Sequence, residues 1–193
     1  MRYDRPTRWL HAGIALGVTA QLGLSLFMEA PDDKDKVMAT GLPLELFETH
    51  EKIGLTLLVI LVLHWLWSLS GHVQGCIGHL FPWFSKERMA NVASEAKDAF
   101  DLKITDPAVS TALAGAVHGL GLLAVTGMAV SGAVVFFNLS ETGHITELGD
   151  AFKELHEIIA QLIWLYLVSH VAMVAVHVRK GHTSIMEIFS LLK

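Results

Sequence analysis

Four long stretches of this chain contain no Asp, Glu, Lys or Arg: those between Arg8 and Glu29, Lys52 and Lys86, Asp106 and Glu141, and Glu157 and Arg179. Each holds at least 20 residues. A bilayer hydrocarbon core of about 30 Å is crossed by about 20 helical residues. With 17% charged residues against the roughly 25% of soluble domains, a chain of 193 residues has too little polar surface to enclose four such runs. The expectation is an all-α, integral-membrane four-helix bundle forming one domain over residues 1–193. The predicted spans cover about 9–28, 48–70, 108–137 and 152–178, and residues 71–107 connect the second to the third.

The first apolar run follows Arg2, Arg5 and Arg8 and ends in Phe27-Met28-Glu29. It is longer than the 7–15-residue h-region of a cleaved signal and lacks a small-residue cleavage site, so it is expected to stay in the membrane. Ten Lys and Arg fall before the first span, in the 71–107 connection and after Val178; four fall on the opposite side. That bias places both termini in the cytoplasm, in a bacterium at the inner membrane. Within the connection, Met89, Val92, Ala93, Ala96 and Phe100 recur at helical spacing, which suits an amphipathic helix at the interface; a solvated linker is the alternative. A second short surface helix is expected over Thr183 to Leu192. The modest net charge of -5 with dispersed cations gives no footprint for nucleic acid. Cys76, the only cysteine, excludes an internal disulfide, a four-cysteine iron-sulfur cluster and covalent haem attachment.

Most of the eleven histidines lie in or beside the spans: His11, His50, His64, His118, His156, His170 and His177. A polar residue at membrane depth is costly and faces the bundle interior with a partner. His156 and His170 are 14 residues apart, as are His50 and His64. Fourteen residues fall about 40° short of four full turns, so the members of each pair share a helix face, about 21 Å apart. Two histidines so placed suit two haems stacked within a helix bundle, because haem iron takes axial imidazoles and neutral imidazole brings no charge into the apolar interior. The spacings Gly13/Gly17, Gly115/Gly119 and Gly127/Ser131, with Gly54, would let a helix or a flat ring approach a backbone. By depth, His11 pairs with His170 for an inner haem and His50 with His156 for an outer one. His64 with His170 is an alternative inner pairing. A haem-free transporter or sensor would also use intramembrane histidines, but would add carboxylates along its path, and the charge-free runs have none.

Arg8-Trp9-Leu10-His11, His50-Glu51-Lys52-Ile53-Gly54 with Leu66-Trp67, His118 followed by Gly132, and His156-Glu157 with His170 together resemble the bacterial cytochrome b561 and nickel-iron hydrogenase cytochrome b superfamily. The resemblance spans the chain outside 71–107 and implies four helices around two b-type haems. It maps the axial ligands onto His11, His50, His156 and His170. His64 departs from the family pattern, which commonly has Arg there. The resemblance also implies exchange of electrons between quinone and a partner, either a periplasmic cytochrome c or a catalytic oxidoreductase subunit, in contact with membrane lipid; a homodimer is compatible with it. A self-sufficient oxidoreductase passing electrons from superoxide or another small donor to quinone is the alternative. The chain has no nucleophile–base pair, phosphate loop or nucleotide fingerprint, so the redox chemistry would belong to its cofactors. Remaining polar groups near the inner face, His118, His64, His177 and Trp67, are candidates for a quinone site. The loop from Glu29 to Glu48, with Asp32, Asp33 and Asp35, and the residues Glu141, Glu147 and Asp150 would give the outer face a negative potential that steers a basic partner.

Overall fold

The computed structural model describes residues 3–30, 40–71, 77–101, 103–106, 112–140 and 142–190. Helix α1 spans Arg5–Leu24, α2 Leu42–Leu69, α3 Ile77–Leu80, α4 Lys86–Phe100, α5 Ala112–Asn138 and α6 Glu147–Arg179. Short 3-10 segments occupy Pro82–Phe84 and Thr183–Phe189. No strand occurs among the described residues; a single antiparallel bridge joins Leu139 to Ile145 in the α5–α6 turn.

The helix starts follow local chemistry. Asp4 caps α1 by accepting the Thr7 amide through Oδ1 at 2.8 Å, and Pro6 and Pro43 sit in first turns, where a missing N–H leaves no bond unmade. Ser85 caps α4. Thr146 caps α6 through its hydroxyl, and Glu147 and Asp150 in the first turn complement the helix dipole. Helix α6 ends where Gly181, at φ 82°, takes the left-handed conformation that closes a helix C-terminus.

Helices α2, α5 and α6 are long and apolar enough to cross a membrane. Only 6% of the most apolar window of α6 is buried within the protein; Ile158, Leu162, Leu165, Val168 and Val171 are all exposed, the arrangement of a helix whose solvent is lipid. Helix α1 is not among the three, because Arg5, Thr7, Arg8, His11 and Gln21 dilute its hydropathy. The third predicted span began at Ala108, and residues 107–111 lie outside the described residues, as do Cys76, Glu141 and the Asp32, Asp33 and Asp35 of the acidic loop.

The chain packs as two units. One comprises the described residues of Gly13–Val62 and Ala124–Trp164. In it Gly13 and Gly17 of α1 receive α2: a Cβ on Gly17 would come within 2.5 Å of Leu57, and one on Gly13 would touch Ile60. Leu57 and Leu61 are buried there, with Ile163 of α6. These glycine spacings therefore serve helix packing, which in lipid rests on close contact rather than on the hydrophobic effect.

The other unit comprises the described residues of Met1–Ala12, Leu63–Leu123 and Leu165–Lys193. Gly119 of α5 admits the backbone of Leu80, and Gly115 admits His79, so this second glycine pair receives the short helix α3 and not a flat ring. Trp65 stacks on Phe81 with centroids 5.7 Å apart. Glu95 of α4 accepts the Leu113 amide at 3.0 Å, supplying an acceptor at the start of α5. The expected helix in the connection is thus present as α4, which buries none of its residues. The tail forms a 3-10 segment instead of the expected surface helix and docks on the start of α1: Arg8 donates to the Ser190 carbonyl at 2.5 Å, and Phe189 meets the ring of His11.

Candidate haem sites

In the unit built from Gly13–Val62 and Ala124–Trp164, α2 supplies His50 and α6 supplies His156. Their ring centroids are 6.2 Å apart and their planes cross at 81°. Position follows from sequence: Gln21 of α1 donates to the His50 carbonyl at 2.9 Å and fixes the start of α2 against α1. Across the unit, Nδ1 of His156 lies 3.0 Å from Oγ of Ser131 and 3.1 Å from the carbonyl oxygen of Met128, both on α5. Gly132 lets that ring lie against the α5 backbone, since a Cβ there would fall 2.9 Å from its Cε1. Nδ1 of His50 is buried without a hydrogen-bond partner among the described residues.

The second unit gathers more histidines than the sequence pairing anticipated. His170 stacks on Tyr166, with centroids 5.5 Å apart and planes at 19°, and meets the ring of His118 edge-on at 5.2 Å. His11 lies within Coulombic range of both His170 and His64, and His118 lies within range of His170 and His11. His11 thus lies near both His170 and His64, and His118 near His170 and His11, which gathers the inner candidates in one unit. Phe189 flanks His11 at 6.0 Å, and Nδ1 of His11 is buried without a hydrogen-bond partner among the described residues.

The remaining sequence candidates are already engaged. The single indole N–H of Trp67 donates to Thr7 Oγ1 at 3.2 Å, tying α2 to α1. His177 turns its Nδ1 to Nδ1 of His182 at 3.1 Å. His64 uses Nδ1 toward Ser68 Oγ at 3.3 Å. Ser131, Tyr166, Phe189 and His182 were not distinguishable as site residues from sequence. Serine and tyrosine in an apolar run read as packing residues, and only the fold brings Phe189 back to His11.

These residues fit haem. Two metal–imidazole bonds of about 2 Å each, with the ring radii added, separate opposed imidazole centroids by about 6 Å, which is the spacing of His50 and His156. His50 and His156 thus present one opposed pair of imidazoles, the donors that an iron already held by four porphyrin nitrogens takes. Among the described residues no group of three or more His, Cys, Asp or Glu could hold a bare metal ion.

No curated protein and no solved structure gives a significant match to the chain. The family model for prokaryotic cytochrome b561 matches residues 2–190. Nearly the whole chain is covered, and three helices are long and apolar enough to cross a membrane. The chain belongs to the prokaryotic cytochrome b561 family, multi-pass membrane proteins that transfer electrons through b-type haem.

Proposed function

We propose that this protein holds two b-type haems and passes electrons between the quinone pool and a partner redox protein or subunit. His50 and His156 ligate one haem; His11 and His170 ligate the other. The observation that carries this reading is the 6.2 Å opposition of His50 and His156. Family membership supports haem b and leaves the haem-free transporter or sensor without support. On this reading α1 is the fourth crossing, its 20 residues rising about 30 Å. Both termini are cytoplasmic, at a bacterial inner membrane.

The haem supplies one-electron chemistry at iron; the chain supplies position and surroundings. His156 is oriented by Ser131 and Met128, and His170 by the Tyr166 ring against it. Quinone binds beside the His11–His170 haem, where His118 and His64 offer ring nitrogens to a quinone carbonyl. The Trp67 indole N–H is engaged with Thr7, so Trp67 serves the packing of that region instead, whereas His177, like His64, has only its Nδ1 engaged, His177 with His182 and His64 with Ser68.

Pyridine haemochrome analysis of the purified chain tests the reading. Two haems per chain are expected, with His156→Ala and His170→Ala each losing one. A single haem in the native protein would refute it.

A further inference from the structure

Ser131 is 1% exposed, within a helix otherwise apolar at this depth. Its hydroxyl donates to the Met128 carbonyl at 3.0 Å, and the same oxygen lies 3.0 Å from Nδ1 of His156. The Met128 carbonyl also lies 3.1 Å from that nitrogen. A carbonyl oxygen only accepts, and the serine proton is already directed at it, so Nδ1 of His156 must carry the hydrogen and share it between the two oxygens. The tautomer follows: the lone pair sits on Nε2, the nitrogen available to iron. Beside Ser131, Gly132 brings the α5 backbone against the same ring. Nδ1 of His50 has no hydrogen-bond partner among the described residues.

We infer that Ser131 is a positioning residue for the haem of the His50–His156 pair: it fixes the tautomer and ring plane of His156 and thereby sets the potential and ligand geometry of that haem. This rests on the proposed ligation of haem by His156. Hydrogen bonding at Nδ1–H raises ligand basicity, which favours ferric iron and lowers the midpoint potential. The 81° between the two ring planes has a separate consequence. With haem held by both, each imidazole would act on a different iron π orbital and leave the two nearly degenerate, which would give the low-spin ferric form one strongly displaced g component.

The test is potentiometric titration with electron paramagnetic resonance of the intact haem-loaded protein, carrying Ser131→Ala or Ser131→Thr. Ser131→Ala should move the potential of one haem positive and shift its large-g signal, the other haem staying unchanged. Ser131→Thr, which restores the hydroxyl, should return both readouts toward native values. Native g values and potential in Ser131→Ala at full haem content would overturn the inference. A native spectrum in which both haems give the rhombic signal of parallel imidazoles would overturn it without any variant. If His156→Ala keeps both haems, the ligation reading and this inference fall together. If His156→Ala loses one while Ser131→Ala changes nothing, the inference alone fails.

Discussion

The ring of Tyr166 lies almost parallel to that of His170, one helical turn away on α6 with centroids 5.5 Å apart, and it occupies the space that Gly121 of α5 leaves open. A Cβ on Gly121 would overlap Tyr166 Cζ. Gly121→Ala should therefore push Tyr166 off its position and loosen His170, at the roughly 1–3 kcal/mol typical of overpacking. Tyr166→Phe, which keeps the stack and removes only the hydroxyl, should be tolerated. Haem content and thermal unfolding in detergent check this; a Gly121→Ala protein with native haem content and melting temperature would show that the stack does not hold His170.

Two glycines of α1 make a matched pair. Gly17 faces Leu57, whose Cδ2 would stand 2.5 Å from a new Cβ, whereas a Cβ on Gly23 would meet nothing within 4 Å among the described residues. Gly17→Ala should destabilise the protein by about 1–3 kcal/mol. Gly23→Ala should be neutral, or stabilising by up to about 1 kcal/mol, through helix propensity. Denaturation in the same detergent separates the two, and equal effects would mean that α1 does not pack on α2 through Gly17.

The helices were legible because charge is so costly in lipid that its absence marks them: the gap from Glu157 to Arg179 lies within α6 and the gap from Lys52 to Lys86 holds most of α2. The juxtaposition of His50 with His156 was legible because spacing and depth are properties of single helices. What surrounds them was not. Ser131 read as one more small residue beside Gly127, since its neighbour on another helix is unknown until the helices pack. The Gly115/Gly119 pair read as room for a helix or a flat ring, and only the fold decides for the helix, since the pair receives His79 and Leu80 of α3. Trp67 read as a free donor because Thr7, its acceptor, is 60 residues away in sequence.

Acid should loosen α3. Burial holds the His79 imidazole below its usual pKa of 6.5, the nearby Arg88 adds to this, and Glu95 opposes both. The folded form thus binds fewer protons than the unfolded chain once pH falls below about 6.5, so the stability this segment draws from neutral His79 is present above that pH and lost as pH falls. Amide exchange over Ile77–Leu80, corrected for intrinsic rate, should accelerate between pH 7 and pH 5.5, and His79→Gln should remove the acceleration. A protection factor constant over that range in the native protein would contradict the assignment.

The acidic face gives the sharpest test of partner choice. Glu45 and Glu48 lie near the start of α2, and Glu147 and Asp150 near the start of α6, within the same unit as the His50–His156 pair. Lys52 pairs with Glu48 at 3.3 Å, an exposed contact that offsets little of the field. On the proposed topology the loop carrying Asp32, Asp33 and Asp35, which outnumber Lys34 and Lys36, belongs to the same side. Such a surface attracts a basic protein and repels an anion such as superoxide, and the attraction is screened within about 10 Å at 0.1 M salt. Electron transfer with a basic cytochrome c should therefore slow steeply as ionic strength rises. Replacing Asp32, Asp33 and Asp35 together by Asn should slow it at low salt and flatten the salt dependence, with haem content unchanged. Rates indifferent to salt, or untouched by the triple substitution, would remove these carboxylates from partner recognition and favour a small donor that reduces the protein without a docking surface.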